Sequence, residues 1–352
     1  MKKSLFDPLF IIPILGLSSL SLAVIQSTNP SLFLNQFTFF ILGLFLYFTF
    51  SQIDFRIYKK NIAILYLLSL VLLLIVFLGT PIRGATRWID ILGFRLQTSE
   101  IVKPFIFIVF SSFMITRPID KLVNLFLSLV LFFPILFLVF KQPDLGNVIV
   151  YLGIFVVLLL NAGLSLKLFI LSIISFFLFI PEVWSRLYDY QKVRITSFLD
   201  PSADPKGTGY NALQAIIAIG GGGLMGLGLG RGTQSHLLFL PEFHTDFAFA
   251  SLVEELGFLG GITVIVFYAL LLLWIFRIIL NCSDPFAKML CLALFSQILI
   301  QAFINIGMNL GVLPITGITL PLVSYGGSSI LGIFISLGII QSVSNNNSRH
   351  LS

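Results

Sequence analysis

Apolar residues in this chain do not alternate with polar ones. They come in long runs, separated by short clusters of Gly, Pro and charge. A helix needs roughly 20 apolar residues to cross the hydrocarbon core of a bilayer. Windows of that size predict ten segments, near 9–27, 36–51, 62–79, 101–116, 122–140, 146–162, 167–181, 256–276, 287–308 and 327–343. The second, fourth and seventh are short. The first is longer than a signal-peptide h-region, and small residues follow it too sparsely for a cleavage site, so it counts as a span. The prediction is an all-α polytopic membrane protein, with about ten transmembrane helices in one transmembrane domain over 1–352.

Composition adds what the pattern leaves open. The chain is 57% apolar and 10% charged, and 38 of its 352 residues are Phe. Its mean hydropathy is +1.04. Soluble proteins run near 45–50% apolar and about 25% charged. This excludes a cytosolic enzyme, a nucleic-acid-binding domain and a disordered chain. The net charge of +6 therefore reads as loop charge facing anionic lipid, not as a footprint for nucleic acid. Placing the N-terminus inside puts 11 of the 21 Lys and Arg in the cytoplasm, against four acids. An even number of spans returns the C-terminus to the same side. Cys282 and Cys291 cannot build a disulfide framework and are expected to be inert.

Three loops then face outward, near 80–100, 182–255 (between spans seven and eight) and 309–326. Long loops in a compact bundle are usually functional. No Walker or dinucleotide fingerprint occurs, so no nucleotide is expected as a cofactor. The first loop carries Gly84-Ala85-Thr86-Arg87-Trp88-Ile89, then Gln97-Thr98-Ser99-Glu100 and Lys103. Ser99 and Glu100 suit a helix start, and Trp88 suits an interfacial belt. Lys103, one turn inside an apolar run, either snorkels to the interface or is a functional charge. Lys141-Gln142-Pro143-Asp144-Leu145-Gly146 reads as a Pro-Asp turn capped by Asp144.

The second long loop is richer. Tyr190–Ile195 and Phe198–Pro201 predict an amphipathic helix on the membrane surface, carrying Lys192 and Arg194 and ending at Asp-Pro. Gln214 precedes a glycine run at 220–223, with more Gly at 226, 228, 230 and 232. That run offers flexibility, or close backbone approach to a phosphate. Glu242, His244, Asp246, Glu254 and Glu255 then crowd an apolar boundary. Their spacing fits no standard zinc pattern, but a carboxylate in a low-dielectric cleft serves as a general base or as a ligand for a hard divalent ion. In the third loop, Asn305 to Ser329 carries Gly and Pro where helix cannot continue, with Ser324 near its end. Non-helical backbone at that depth is tolerated where it lines a cavity.

Together these segments resemble the SEDS family (shape, elongation, division and sporulation), the RodA/FtsW/SpoVE peptidoglycan glycosyltransferases. The resemblance is carried by GATRWI with QTSEIVK, KQPDLGN, YQKVRITSFLDP with DPKGTGY, GTQSHLLFLPEFHTDFAFASLVEELGFLG and NIGMNLGVLPITGITLPLVSYGGSS, in family order from 84 to 329. GTQS before the LPE-HTDF block and the short termini are more like RodA, the elongation type, than FtsW. Thr98 departs from the family's usual Pro in QPSE.

The resemblance implies ten helices, a cavity open to the outer leaflet of the bacterial inner membrane, and lipid II as substrate. It implies polymerisation into β-1,4 glycan with release of undecaprenyl pyrophosphate. Asp246 matches the family's essential aspartate, and Lys103 matches a lysine expected to pair with it. Arg87, Lys103, Lys192 and Arg194 stand on the side where a pyrophosphate would need neutralising. Glu100, Gln214 and Ser324 complete the expected substrate-binding set. A divalent cation, Mg²⁺ or Mn²⁺, is the expected cofactor, with Asp246 a possible ligand. The expected partners are a class B penicillin-binding protein and other elongation-complex membrane proteins. A lipid II flippase and a division-type glycosyltransferase are the alternatives, and a purely structural scaffold is a more distant one.

Overall fold

The computed structural model describes residues 7–79, 86–91, 94–178, 180–187, 189–200 and 207–347. Gly84 and Ala85 of the first motif and residues 201–206 of the third lie outside them. Every predicted apolar window coincides with a helix. The first half comprises α1 (Pro8–Thr28), α2 (Phe33–Gln52), α3 (Phe55–Lys60), α4 (Ile62–Ile75), α5 (Thr98–Ile101), α6 (Lys103–Thr116), α7 (Leu122–Lys141) and α8 (Leu145–Asn161). The second half comprises α9 (Leu166–Leu178), α10 (Ile180–Arg186), α11 (Asp189–Leu199), α12 (Thr208–Gly221), α13 (Thr233–His236), α14 (Ala248–Asn281), α15 (Pro285–Asn309) and α16 (Gly327–Asn347). Six of these are long and apolar enough to cross a membrane: α1, α2, α7, α14, α15 and α16. The apolar helices α4, α6 and α8 are shorter.

Local chemistry sets the boundaries. Asp7, Asp54, Asp144 and Asp284 each accept a backbone N–H at the start of a helix, from Leu9, Arg56, Asn147 and Ala287. Pro8 and Pro285 open α1 and α15 in first-turn positions. The centre of the bundle is α16, buried on almost every face. It lies so close to α2 that a Cβ on Gly338 would stand 2.7 Å from the Tyr47 carbonyl oxygen. Small residues permit such approach where lipid offers no hydrophobic drive between helices. Around it, α1 packs on α14, and α15 on α6 and α8.

Two loops differ from the prediction. The all-α class needs one amendment: β1 (Trp88–Ile91) and β2 (Phe94–Gln97) pair antiparallel, Trp88 with Gln97 and Ile91 with Phe94. The predicted surface helix is present as α11 and stops at Leu199, ahead of Asp-Pro. The glycine run, by contrast, is neither loose nor turned to a phosphate. α14 breaks at Gly257 (φ 73°, ψ −172°), and residues 222–228 are spliced against the break. Phe258 and Leu259 N–H donate to the carbonyls of Gly223 and Leu224, while Leu227 and Gly228 N–H donate to those of Glu254 and Glu255. Each side caps the other's orphaned helix groups. A Cβ on Gly226 (φ 80°) would lie 2.1 Å from the Glu255 carbonyl oxygen, so only glycine fits there.

Candidate functional site

Asp246 is the last residue but one of the turn from Pro241 to Phe247 that leads into α14. The backbone of that turn is tied to the third loop. Tyr325 N–H donates to the His244 carbonyl at 2.7 Å, and Ser324 Oγ donates to that of Thr245 at 2.5 Å. The Asp246 carbonyl accepts from Asn305 and Asn309 Nδ2, at 3.0 and 3.1 Å. Its carboxylate oxygens accept no hydrogen bond among the described residues. They lie near Arg194 on the same side of Gly317: a Cβ on Gly317 would be 3.4 Å from Asp246 Oδ2 and 3.7 Å from Arg194 Nη1. Arg194 Nη1 donates to the Thr316 carbonyl at 3.1 Å, which anchors α11 to the same loop.

Burial pushes the Asp246 carboxyl up from 3.8 to about 6. Arg194 and Arg87 pull it down, and Glu242 and Asp144 push it further up, with burial the largest influence. A carboxyl poised near neutrality beside a guanidinium is matched to proton abstraction.

The QTSE and KQPDLGN motifs form one wall. Asp144 Oδ2 accepts from Gln97 Nε2 (2.6 Å), Ser99 Oγ (3.0 Å) and Asn147 Nδ2 (2.8 Å). Arg87 Nε donates to the Gln142 carbonyl at 3.0 Å, and Arg87 Nη2 donates to that of Pro143. Arg87 thus reaches the Asp246 field while clamping this turn.

Lys103 neither snorkels nor pairs with Asp246. Its side chain is fully buried, and Nζ meets Glu100 Oε1 at 2.6 Å. The acid three residues earlier lies on the same face of the chain, so the charge is neutralised locally. Gln301 Nε2 approaches Glu100 Oε2 at 3.5 Å. Ser324, expected to bind substrate, spends its hydroxyl on the loops: it accepts from Leu320 N–H at 2.8 Å and donates to Thr245. The side chains of Lys192 and Gln214 make no hydrogen bond or ion pair among the described residues.

The acidic cluster divides in two. Glu254 accepts from Gln234 N–H (2.8 Å) and from Ser235 N–H and Oγ (3.3 and 3.1 Å). Glu255 Oε1 accepts from Ser27 Oγ at 2.6 Å and lies 2.9 Å from His236 Nε2. Both carboxylates secure the segment from Gly230 to His236 that follows the spliced glycine turn. Among the described residues no group of three His, Cys, Asp or Glu is placed to hold a metal ion. An all-protein cage is therefore not what these residues fit. They fit a hard cation held by one or two carboxylates with substrate phosphates and water, as Mg²⁺ is commonly bound; Asp246 is the available ligand, with Glu242 in its field.

Arg194 also lines an apolar groove, formed with Phe198, Ala212, Ile216, Leu313 and Ile315. A positive head at the rim of an apolar trough suits an amphiphile with an anionic headgroup. The residues that sequence reasoning undervalued are Asn305 and Asn309. Their signal was the recurrence of amides every four residues in an apolar helix, at 297, 301, 305 and 309.

Comparison with known proteins agrees with this geometry. Peptidoglycan glycosyltransferase MrdB of Escherichia coli K12 is 40% identical over 86% of this chain and 82% of its own. A probable peptidoglycan glycosyltransferase FtsW of Marinomonas mediterranea is 38% identical over 97% and 88%. Among solved structures, a chain of a peptidoglycan synthase complex that coordinates polymerization and crosslinking superposes with a TM-score of 0.84 at 29% identity, over 98% and 99% of the two chains. The rod shape determining protein RodA of Thermus thermophilus superposes with 0.73 at 26% identity, over 98% of each. The profile FTSW_RODA_SPOVE, described as cell cycle protein, matches residues 3–349. This multi-pass membrane chain belongs to the FtsW/RodA/SpoVE family.

Proposed function

We propose that this chain is a peptidoglycan glycosyltransferase of the elongation type, which polymerises lipid II into β-1,4 glycan at the outer face of the bacterial inner membrane. The observation that carries the reading is the placing of Asp246 near Arg194, which lines the apolar groove. It supplies a base, a cation and a trough for a lipid tail in one place. The GlcNAc 4-hydroxyl of the acceptor gives its proton to the Asp246 carboxylate as its oxygen bonds to the donor's anomeric carbon. The bond from that carbon to the pyrophosphate oxygen breaks, and undecaprenyl pyrophosphate leaves with the bonding pair. A single displacement inverts the centre from α to β, so no second carboxylate is needed as a covalent nucleophile. Arg194, aided by Arg87, offsets the negative charge developing on the leaving group. A divalent cation bound with the pyrophosphate would add Lewis-acid neutralisation at the same oxygens.

The reading includes ten spans with both termini in the cytoplasm. It also includes a class B penicillin-binding protein as partner. The second half of α14 exposes Phe258, Leu259, Ile262, Ile265 and Val266, a face free to take a partner's single helix. The direct test gives the purified chain labelled lipid II with Mg²⁺ or Mn²⁺ and looks for polymer on a gel. Polymer separates this reading from a flippase, which would move lipid II without extending it. A cognate penicillin-binding protein should copurify and raise the rate. Failure of both while turnover is measurable ends the partner assignment. Restoration of rod shape, and not of septation, to a deficient cell separates elongation from division.

A further inference from the structure

Asp246 is gripped through its backbone from the helix behind it. The C-terminal half of α15 carries Gln297, Gln301, Asn305 and Asn309, every one fully buried. A repeat of four places them along one face of the helix, and their partners change along it. At the inner end Gln297 Oε1 accepts from Ser336 Oγ at 3.2 Å. At the outer end both asparagines turn to the site. Asn305 Nδ2 donates to the Asp246 carbonyl at 3.0 Å and to the Ile318 carbonyl at 2.7 Å. Asn309 Nδ2 donates to the same Asp246 carbonyl, and Asn309 Oδ1 accepts from Ala250 N–H at 3.1 Å. That N–H is one of the orphan donors at the start of α14.

The carboxamide of Asn305 is thus a cross-link. One donor holds the residue that carries the base. The other holds Ile318, next to the glycine beside which Asp246 and Arg194 lie and two residues past the Thr316 carbonyl that anchors Arg194. We propose that Asn305, backed by Asn309, is a positioning residue that sets Asp246 against Arg194 and thereby governs the chemical step. This rests on the glycosyltransferase reading above. Asn305 offers substrate nothing, since both its donors are taken. Its loss should therefore act on turnover and leave substrate binding almost untouched. Misplacement of a reacting group by about 1 Å costs on the order of a hundredfold in rate.

The test is Asn305→Asp, which keeps the size of the side chain and sets an oxygen against two carbonyl oxygens. It is run beside Gln297→Met, a change on the same buried stripe at its far end. Polymerisation is measured across lipid II concentrations, together with detergent melting and hydrogen exchange of the segments 242–250 and 314–320. Asn305→Asp should lower kcat about a hundredfold with KM within twofold of the parent, and both segments should exchange faster. Gln297→Met should keep kcat within twofold and leave both segments protected. If Asn305→Asp does not fold, Asn305→Ser takes its place, with an intermediate loss expected. The proposal is overturned if the folded variant keeps more than half of kcat, if its loss lies in KM, or if Gln297→Met is equally slow. Should the parent chain make no polymer, the functional reading fails by itself. Hydrogen exchange then still decides the positioning role, and unchanged protection in both segments refutes it.

Discussion

Asp246 and the pair Glu254–Glu255 stand close together in sequence, at one apolar boundary, and the structure gives them opposite tasks. Glu254 is saturated by N–H and hydroxyl donors from α13, and Glu255 is held by Ser27, Gly230 N–H and His236. Asp246 has a guanidinium beside it, its backbone fixed by two asparagines, and no hydrogen bond on its carboxylate among the described residues. A carboxylate whose oxygens are engaged by protein donors serves as a structural anchor. One left without hydrogen bonds but rigidly placed stays available to a substrate hydroxyl. Proximity in sequence says nothing about which of the two a residue becomes.

The strongest way to break this contrast is a pair of isosteric amides. Asp246→Asn removes the base and no hydrogen bond of the side chain. Polymerisation should fall by roughly a thousandfold or more, within the range general-base catalysis supplies, with detergent melting no lower than that of the parent. Glu254→Gln should do the reverse. It weakens several charge-assisted bonds at a cost of about 1–3 kcal/mol, while the folded fraction polymerises at the parental rate. Polymer from Asp246→Asn, or a well-folded but inactive Glu254→Gln, would erase the distinction.

Next in size is the buried pair on α5 and α6. Lys103→Met leaves Glu100 as an uncompensated charge in the bundle, a loss of about 3–5 kcal/mol, read as a lower melting temperature. Adding Glu100→Gln to it should restore most of the stability. If the double variant stays as unstable as the single one, Lys103 serves some partner other than Glu100.

The pH profile sharpens the contrast further. As a base, Asp246 must be ionised, so the rate should be level above about pH 6 and drop about tenfold per unit below it. Stability runs the other way. A folded carboxyl raised from 3.8 to about 6 holds its proton more tightly than the unfolded one. Ionisation therefore costs stability progressively from about pH 4 to 6, and fully above that. Asp246→Asn should melt no lower than the parent at pH 8. A variant that melts lower there would show that the carboxylate is structural after all.

Much of this was legible in the sequence because one physical rule dominates a membrane chain. Backbone polar groups must be satisfied within a segment, so apolar windows located the helices, and the Pro-Asp turn at 143–144 and the Ser99-Glu100 pair each located a start. Asp144, Asp246 and Arg194 were likewise visible as polar groups collected at one end of the bundle. What escaped depended on neighbours distant along the chain. The glycines from 220 to 232 read either as flexibility or as a close approach to a phosphate. What the sequence hid is a helix break some thirty residues on, whose carbonyls accept from Leu227 and Gly228 N–H and whose N–H groups donate to the carbonyls of Gly223 and Leu224. Lys103 was matched to Asp246 when Glu100, three residues back, already satisfied it. Ser324 read as a substrate contact because its partner, the Thr245 carbonyl, belongs to another loop.

The smallest expected effect tests where the wall's chemistry lies. In QTSE the residues that reach the site's field are Gln97 and Ser99, through Asp144, while Glu100 is spent on Lys103. Thr98, the departure from the family's proline, does none of this: its buried Oγ1 finds no partner among the described residues. It opens α5, behind Gln97 at φ −89° and ψ 111°, the extended backbone a residue before proline prefers. Proline at the first helical position gives up an N–H that has no helical partner anyway. It also narrows the unfolded ensemble, a gain of about 0.4–1 kcal/mol where the native backbone already suits it. Thr98→Pro should therefore raise the melting temperature slightly and leave polymerisation within twofold of the parent. A drop in activity at unchanged stability would mean that Thr98 shapes the cradle of Asp144. That would place a second functional carboxylate in the wall, where the comparison with Glu254 and Glu255 now places a structural one.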